Sequence, residues 1–180
     1  MTTAGTGSGS RVLVAAASRH GATHEIAGSI GQTLRSRGCD VTVADAGRID
    51  TLDGYDAIVL GSAVYAGHWL PDAKAVAERI PDLHPFPAVW LFSSGPVGDP
   101  PKPDEEPVDV TAIVDATSPR GHRLFAGRID KSKLGFAERA IMIAVRAPEG
   151  DFRDWDEISD WALGIADALD GAPTGQGFTP

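Results

Sequence analysis

Apolar runs and helical stripes alternate along this chain from residue 11 onward. Residues 11–17 (RVLVAAA) form a short continuous apolar run. A polar loop at 18–23 (SRHGAT) follows, and then Ile26, Ile30 and Leu34 recur at helical spacing as far as Gly38. That order predicts strand, loop, helix. Residues 41–44 (VTVA) and 57–61 (AIVLG) predict a second and a third strand, the latter after the turn signal Asp53-Gly54, both apolar enough for burial on two faces. Pro71 opens a second helix whose stripe is Ala73, Val76, Ala77 and Ile80, and Pro81 stops it. Residues 87–92 (PAVWLF) predict a fourth strand. Residues 93–107, with Pro96, Pro100, Pro101, Pro103 and Pro107, predict a long exposed loop. Val110, Ile113 and Val114 then mark a helix within 108–117, and residues 123–126 (RLFA) a fifth strand. The apolar stretch 134–146, with Phe136, Ile141, Met142 and Val145, predicts a helix that ends before Pro148 and packs as core. Asp154 with Glu157 three residues on is a capping-box pattern ahead of Ile158, Trp161, Ala162, Ile165 and Leu169.

Parallel strands need crossover connections, so buried strands alternating with helices predict an α/β sandwich with a parallel sheet covered on both faces. One such domain fits residues 11–170, leaving a flexible leader at 1–10 and a flexible tail at 171–180. A chain of 180 residues with 42% hydrophobic content is long and apolar enough for a single core. Its net charge of −9 argues against binding nucleic acid. The sole cysteine, Cys39, excludes an internal disulfide, and the lack of any Asn excludes N-glycosylation, so a reducing, cytoplasmic setting is expected. The longest nearly uncharged stretch, 57–73, holds His68, Pro71 and Asp72 and does not suit a membrane span.

In a sheet of this type ligands sit beyond the carboxyl ends of the strands, so the loops after strands one, three and four are the candidates for chemistry. The first, Ser18, Arg19, His20, Gly21, Ala22 and Thr23, combines hydroxyls with a helix start. Open amides and the positive end of a helix dipole suit an anion there. Ser18 and Thr23 equally suit plain helix caps. No Gly-Lys-Ser/Thr ending follows, so a monophosphate ester fits better than a nucleoside triphosphate. The second loop carries Ser62, Ala63, Val64, Tyr65, Ala66, Gly67, His68 and Trp69. Tyr65 and Trp69 either pack on the neighbouring helix or flank a planar ring. The third, Ser93, Ser94 and Gly95, offers hydroxyl and amide contacts or an ordinary turn. The acids of a phosphoryl-accepting regulator are absent, since alanines precede Ser18 and Gly61-Ser62 ends strand three. The five histidines (20, 24, 68, 84, 122) are scattered without metal-ligand spacing, and His20 and His24 are expected at a solvated helix start.

Taken together, the Ser18-x-x-Gly21-x-Thr23 loop after a first strand, the Gly61 to Trp69 aromatic loop and Ser93-Ser94-Gly95 resemble the flavodoxin superfamily. Gly67-His68-Trp69 and Asp154-Trp155 before the last helix are most similar to the flavodoxin-like protoporphyrinogen IX dehydrogenases that reduce menaquinone. The resemblance spans about residues 11–170 and implies a five-stranded sheet of order 2-1-3-4-5. It also implies FMN held without covalent linkage, its phosphate on residues 18–23 and its ring between the second and third loops, with Tyr65 and Trp69 stacking. No general acid or base follows from it; His68 is a candidate by position. One departure bears on substrate. That family's segment after strand four is basic, whereas residues 98–109 here hold one Lys and five acids, which argues against a porphyrinogen. Seven basic residues against two acidic ones fall instead in 119–146, where a peripheral contact with an anionic membrane, or guidance of a quinone, is the alternative to a solvated surface. Three functions stand: an FMN-dependent dehydrogenase or quinone reductase, a flavodoxin-type electron carrier, and a flavin-free protein retaining the fold.

Overall fold

The computed structural model of the chain describes residues 9–95, 107–144 and 149–171. The first apolar run becomes β1 (Arg11–Ala17), followed by α1 (Ala22–Ser36), β2 (Asp40–Asp45), β3 (Ala57–Tyr65), β4 (His68–Trp69), α2 (Pro71–Arg79), β5 (Ala88–Ser94) and α3 (Val110–Thr117). Then come β6 (Gly121–Phe125), β7 (Arg128–Ile129), α4 (Phe136–Ala144), β8 (Gly150–Asp151) and α5 (Trp155–Asp170). The main sheet runs β2-β1-β3-β5-β6 with every neighbouring pair parallel. Counting long strands only, this is the order 2-1-3-4-5. Two short antiparallel pairings, β3 with β4 and β7 with β8, were not legible in the apolar pattern.

A strand buried on both faces divides its side chains between two layers, because successive residues point to opposite sides. In β1, Val12, Val14 and Ala16 pack with Ile26, Ile30 and Leu34 of α1 and Ile158, Ala162 and Ile165 of α5. Leu13 and Ala15 pack on the other face with Ala73 and Val76 of α2, Ile80, and Ile113 of α3. Each fully buried Val, Leu or Ile contributes about 1.5–3 kcal/mol of hydrophobic stabilisation. Asp154 caps α5, its Oδ1 accepting from the N–H groups of Asp156 (3.1 Å) and Glu157 (3.0 Å).

Four expectations change. β2 is an edge strand, with Val41 buried but Thr42 and Val43 exposed, so it is not covered on both faces. β3 continues to Tyr65 and β5 to Ser94, so residues 62–65 and 93–94 are strand ends, not loop. They stay in the sheet because each continues the ladder with its neighbour: Ser62 pairs with both Ala17 and Ser93, and Ser94 with Phe125. None of the described side chains of α4 is core: Phe136 is 93% exposed and Ile143 67%, because both sandwich faces are already occupied by α1, α5, α2 and α3. His20 and His24, expected in solvent, are each half-buried beside a carboxylate. Most of the proline-rich loop (residues 96–106), residues 1–8 and 172–180 of the leader and tail, the side chains of Ile141 and Met142, and residues 145–148 lie outside the described residues.

Candidate functional site

The carboxyl ends of β1, β3 and β5 open into one cleft of about 200 Å³. From the first loop it is lined by Ser18, His20, Ala22 and Thr23, from the end of β3 by Ala63, Val64, Tyr65 and Ala66, and from the end of β5 by Ser94 and Gly95. A fourth wall comes from within the basic stretch 119–146, at Gly127, Arg128, Ile129 and Leu134, none of which was among the candidate cofactor residues.

The first loop is built to leave a helix end open. Gly21 precedes α1 at φ +90, a conformation a side chain would disfavour, and no side chain caps the helix. Ser18 Oγ accepts the Gly21 N–H at 3.0 Å, so this hydroxyl orders the loop without occupying the first-turn amides of α1. Thr23, the second residue of α1, is buried in its first turn at the cleft wall.

The two aromatics of the second loop part company, and strand pairing explains it. Tyr65 and His68 flank a two-residue turn, Ala66 (φ 49) and Gly67 (φ 79), whose positive φ values suit a tight hairpin. Directly paired residues share a face and adjacent ones alternate, so Trp69 goes with Val64 while Tyr65 goes with His68. Trp69 is therefore buried in the layer against α2, with its indole N–H donating to Ser93 Oγ at 2.8 Å, and does not line the cleft. Tyr65 does. The Arg19 guanidinium lies over its ring at 4.5 Å and the His20 ring stands edge-on at 6.4 Å. Burial raises the Tyr65 hydroxyl pKa above its ordinary value, the Glu138 charge adds to this, and Arg19 opposes it.

The other candidates hold these walls in place. Ser62 Oγ donates to the Ala63 carbonyl (2.8 Å) and accepts the Leu70 N–H (2.9 Å). Ser93 Oγ also sits 3.0 Å from His122 Nε2. The Gly67 carbonyl accepts the Val108 N–H. His68 is exposed, 3.1 Å from Asp109 Oδ1, and outside the cleft lining. His24 Nε2 lies 3.0 Å from the Ala16 carbonyl and 3.3 Å from Asp45 Oδ2. Among the described residues no three His, Cys, Asp or Glu side chains are grouped to hold a metal.

Two charged arrangements join distant sequence to the cleft. Arg128 meets both carboxylate oxygens of Glu25, at 3.1 and 3.2 Å. Arg153, its side chain only 2% exposed, binds Glu25 (2.8 Å), Asp151 (2.5 and 2.7 Å) and the Ala22 carbonyl (3.3 Å), and stacks 4.4 Å from Trp155. Its hydrogen bonds hold the Glu25 and Asp151 carboxyls below their ordinary pKa, against the opposing effect of burial. On α4, Glu138 Oε1 accepts from Arg19 Nη1 at 3.0 Å and lies 3.3 Å from His20 Nε2. The Gly135 N–H donates to Oε2 at 2.9 Å and is the main cause of a lowered Glu138 pKa; Arg19 and His20 add to it, while burial opposes. The basic excess across 119–146 was the only sequence signal for this wall, since its partners lie more than a hundred residues away.

Chemically the cleft is a slot with apolar side walls, an aromatic, and an uncapped helix start beside hydroxyls at one end. That combination suits a planar ligand with an anionic tail. The flavodoxin domain family matches residues 13–156. None of the curated proteins matches the chain. Among solved structures, the chain is similar to the rubredoxin oxygen:oxidoreductase of Desulfovibrio gigas (TM-score 0.61, 15% identity). It covers 92% of its own length there but only 37% of that protein's. It is also similar to an archaeal flavodoxin (TM-score 0.60, 20% identity, 89% of this chain and 99% of the other). Flavodoxin 2 of Bacillus cereus gives TM-score 0.58 at 18% identity, over 88% and 99% of the two chains. At these identities the likenesses speak for the fold, while the family match reaches from β1 into α5: the chain belongs to the flavodoxin domain family.

Proposed function

We propose that this protein binds FMN in the cleft and acts as a redox enzyme, a dehydrogenase or quinone reductase. The observation that carries the reading is the convergence of an uncapped α1 start, Ser18 and Thr23 with the half-buried Tyr65 across one slot. The residues present fit the group. Amides of α1 with the Ser18 and Thr23 hydroxyls would hold the phosphate, each charge-assisted bond supplying about 1.5–3 kcal/mol. Tyr65 and Ile129 would flank the ring, and Ser94 with Gly95 would meet its polar edge. FMN, when bound, supplies hydride and electron transfer; the chain's part is to orient it and set the charge around it. Arg128, which lines the slot, has its charge met by both carboxylate oxygens of Glu25.

A lipophilic quinone is the acceptor class this reading favours, because Phe136 and Ile143 are exposed on α4, whose lead-in residue Leu134 lines the slot. The acidic run at 98–109 weighs against a porphyrinogen. The second reading is an electron carrier, favoured by the net charge of −9, which would steer docking to a basic partner. Reconstitution separates them: the apoprotein should take up FMN stoichiometrically and turn yellow, and the loaded protein should reduce a soluble menaquinone analogue with a chemical or nicotinamide donor. Flavin uptake without turnover on any quinone would favour the carrier. Failure to take up FMN would end both. Thr23→Val should weaken FMN at least tenfold while leaving riboflavin affinity within about twofold, the loss of one charge-assisted bond to phosphate.

A further inference from the structure

Helix α4 is joined to the first loop through one carboxylate. Glu138 Oε1 takes the Arg19 guanidinium at 3.0 Å and lies 3.3 Å from His20 Nε2, and the Gly135 N–H fixes the other oxygen at 2.9 Å. Glu138 and His20 are each about a quarter exposed, so the contact is sheltered more than a typical surface pair. Arg19 and His20 lie between Ser18 and Gly21, within the loop that leads into the open amides of α1. The same Arg19 covers the face of Tyr65. Phe136 and Ile143 of α4 are both exposed, and Glu138 is the residue of this helix seen to bond the first loop among the described side chains.

We propose that Glu138 is a built-in competitor for an anion at the first loop. Resting on the reading of the cleft as an FMN site, it thereby sets how strongly the protein prefers phosphorylated over unphosphorylated flavin. A carboxylate and a phosphate ester call on the same donors and repel one another, so the ester draws Arg19 and His20 away from Glu138 and α4 loses its latch. Arg19, once drawn to the ester, uncovers the Tyr65 face for the ring. Riboflavin, which carries no ester, leaves the latch closed.

The test is a pair of titrations on the full chain, wild type and Glu138→Gln, followed by flavin fluorescence with FMN and with riboflavin. A third titration follows amide shifts of residues 18–25 by NMR with inorganic phosphate. Glu138→Gln keeps the shape and an acceptor for the Gly135 N–H while removing the charge. It should tighten FMN and inorganic phosphate about tenfold and leave riboflavin within about twofold. Equal changes for the two flavins, or no change for FMN and phosphate, would overturn the competition. If phosphate shifts residues 18–25 more tightly in the variant while neither flavin binds either protein, the charge competition stands and the flavin reading falls. A matching circular dichroism spectrum for the variant shows that the fold is intact, and Glu138→Ala, expected to follow Glu138→Gln for FMN, guards against an effect peculiar to the amide.

Discussion

Gly61 sits in the middle of β3 opposite Phe92 of β5, and a Cβ at this position would come within 2.0 Å of the Phe92 ring. That ring packs at 6.0 Å from Phe125 and 6.2 Å from Trp161, which are themselves 5.5 Å apart, so it has no room to retreat. Gly61→Ala is therefore expected to destabilise the protein by about 1–3 kcal/mol, as overpacking does, read as a lower midpoint in urea at unchanged slope. An unaltered midpoint would mean that the ring shifts freely. Residue identity was a fair guide to the first loop, where hydroxyls and a glycine before a helix have few uses. It was a poor guide to Tyr65 and Trp69. Both are large aromatics in one short segment, and only the turn at Ala66 and Gly67 determines that one faces the slot and the other the core.

At the scale of elements, the start of α1 is clamped from outside the sandwich. Arg153 follows the β7–β8 ribbon and ties the Ala22 carbonyl and Glu25 of α1 to Asp151 of β8. Arg153→Gln should cost about 1–3 kcal/mol of stability at neutral pH, the scale of lost hydrogen bonds to charged groups. The folded-state pKa values of Glu25 and Asp151 are lowered, so the stability they contribute is present above their unfolded values and is lost as pH falls through the folded ones. The wild-type advantage over Arg153→Gln should accordingly be full at pH 7 and shrink once the pH drops below about 4, checked by urea melts across pH. A difference that does not narrow in acid would place the effect in packing of the Arg153 stem on Trp155. The helices themselves were readable where one face had to be buried: the Ile26, Ile30 and Leu34 stripe, the Pro71 start and the Asp154 cap all appear as expected. α4 was misjudged because an apolar stretch announces that it seeks cover without saying whether the sandwich has a face left for it.

Across the whole molecule, a chain of net charge −9 carries Lys131, Lys133 and Arg139 within a few residues of the exposed Phe136 and Ile143, a basic and apolar flank in which Lys131 faces Glu149 at 3.9 Å. No helix among the described residues is long and apolar enough to cross a membrane; the contact proposed for this flank is a peripheral one, apolar and basic side chains resting on an anionic surface. The flank predicts co-sedimentation with phosphatidylglycerol vesicles at low salt, little with phosphatidylcholine, and loss of binding in the Phe136→Ser, Ile143→Ser double variant or at high salt. Indifference to lipid charge would reject the peripheral contact and leave a soluble quinone or protein as the partner. The alternation of strands and helices, the two-sided core and the loop at residues 18–23 were determined by the sequence, because burial periodicity and helix-start chemistry are local and act over a few residues; the strand order followed only from the resemblance to the flavodoxin superfamily. The fourth wall of the cleft, the Arg153 clamp, the Glu138 latch and the separation of Tyr65 from Trp69 were decided by tertiary structure. Those arise where residues distant along the chain meet, or where strand pairing assigns a face, and a charge or ring carries no mark of the partner that folding will bring to it.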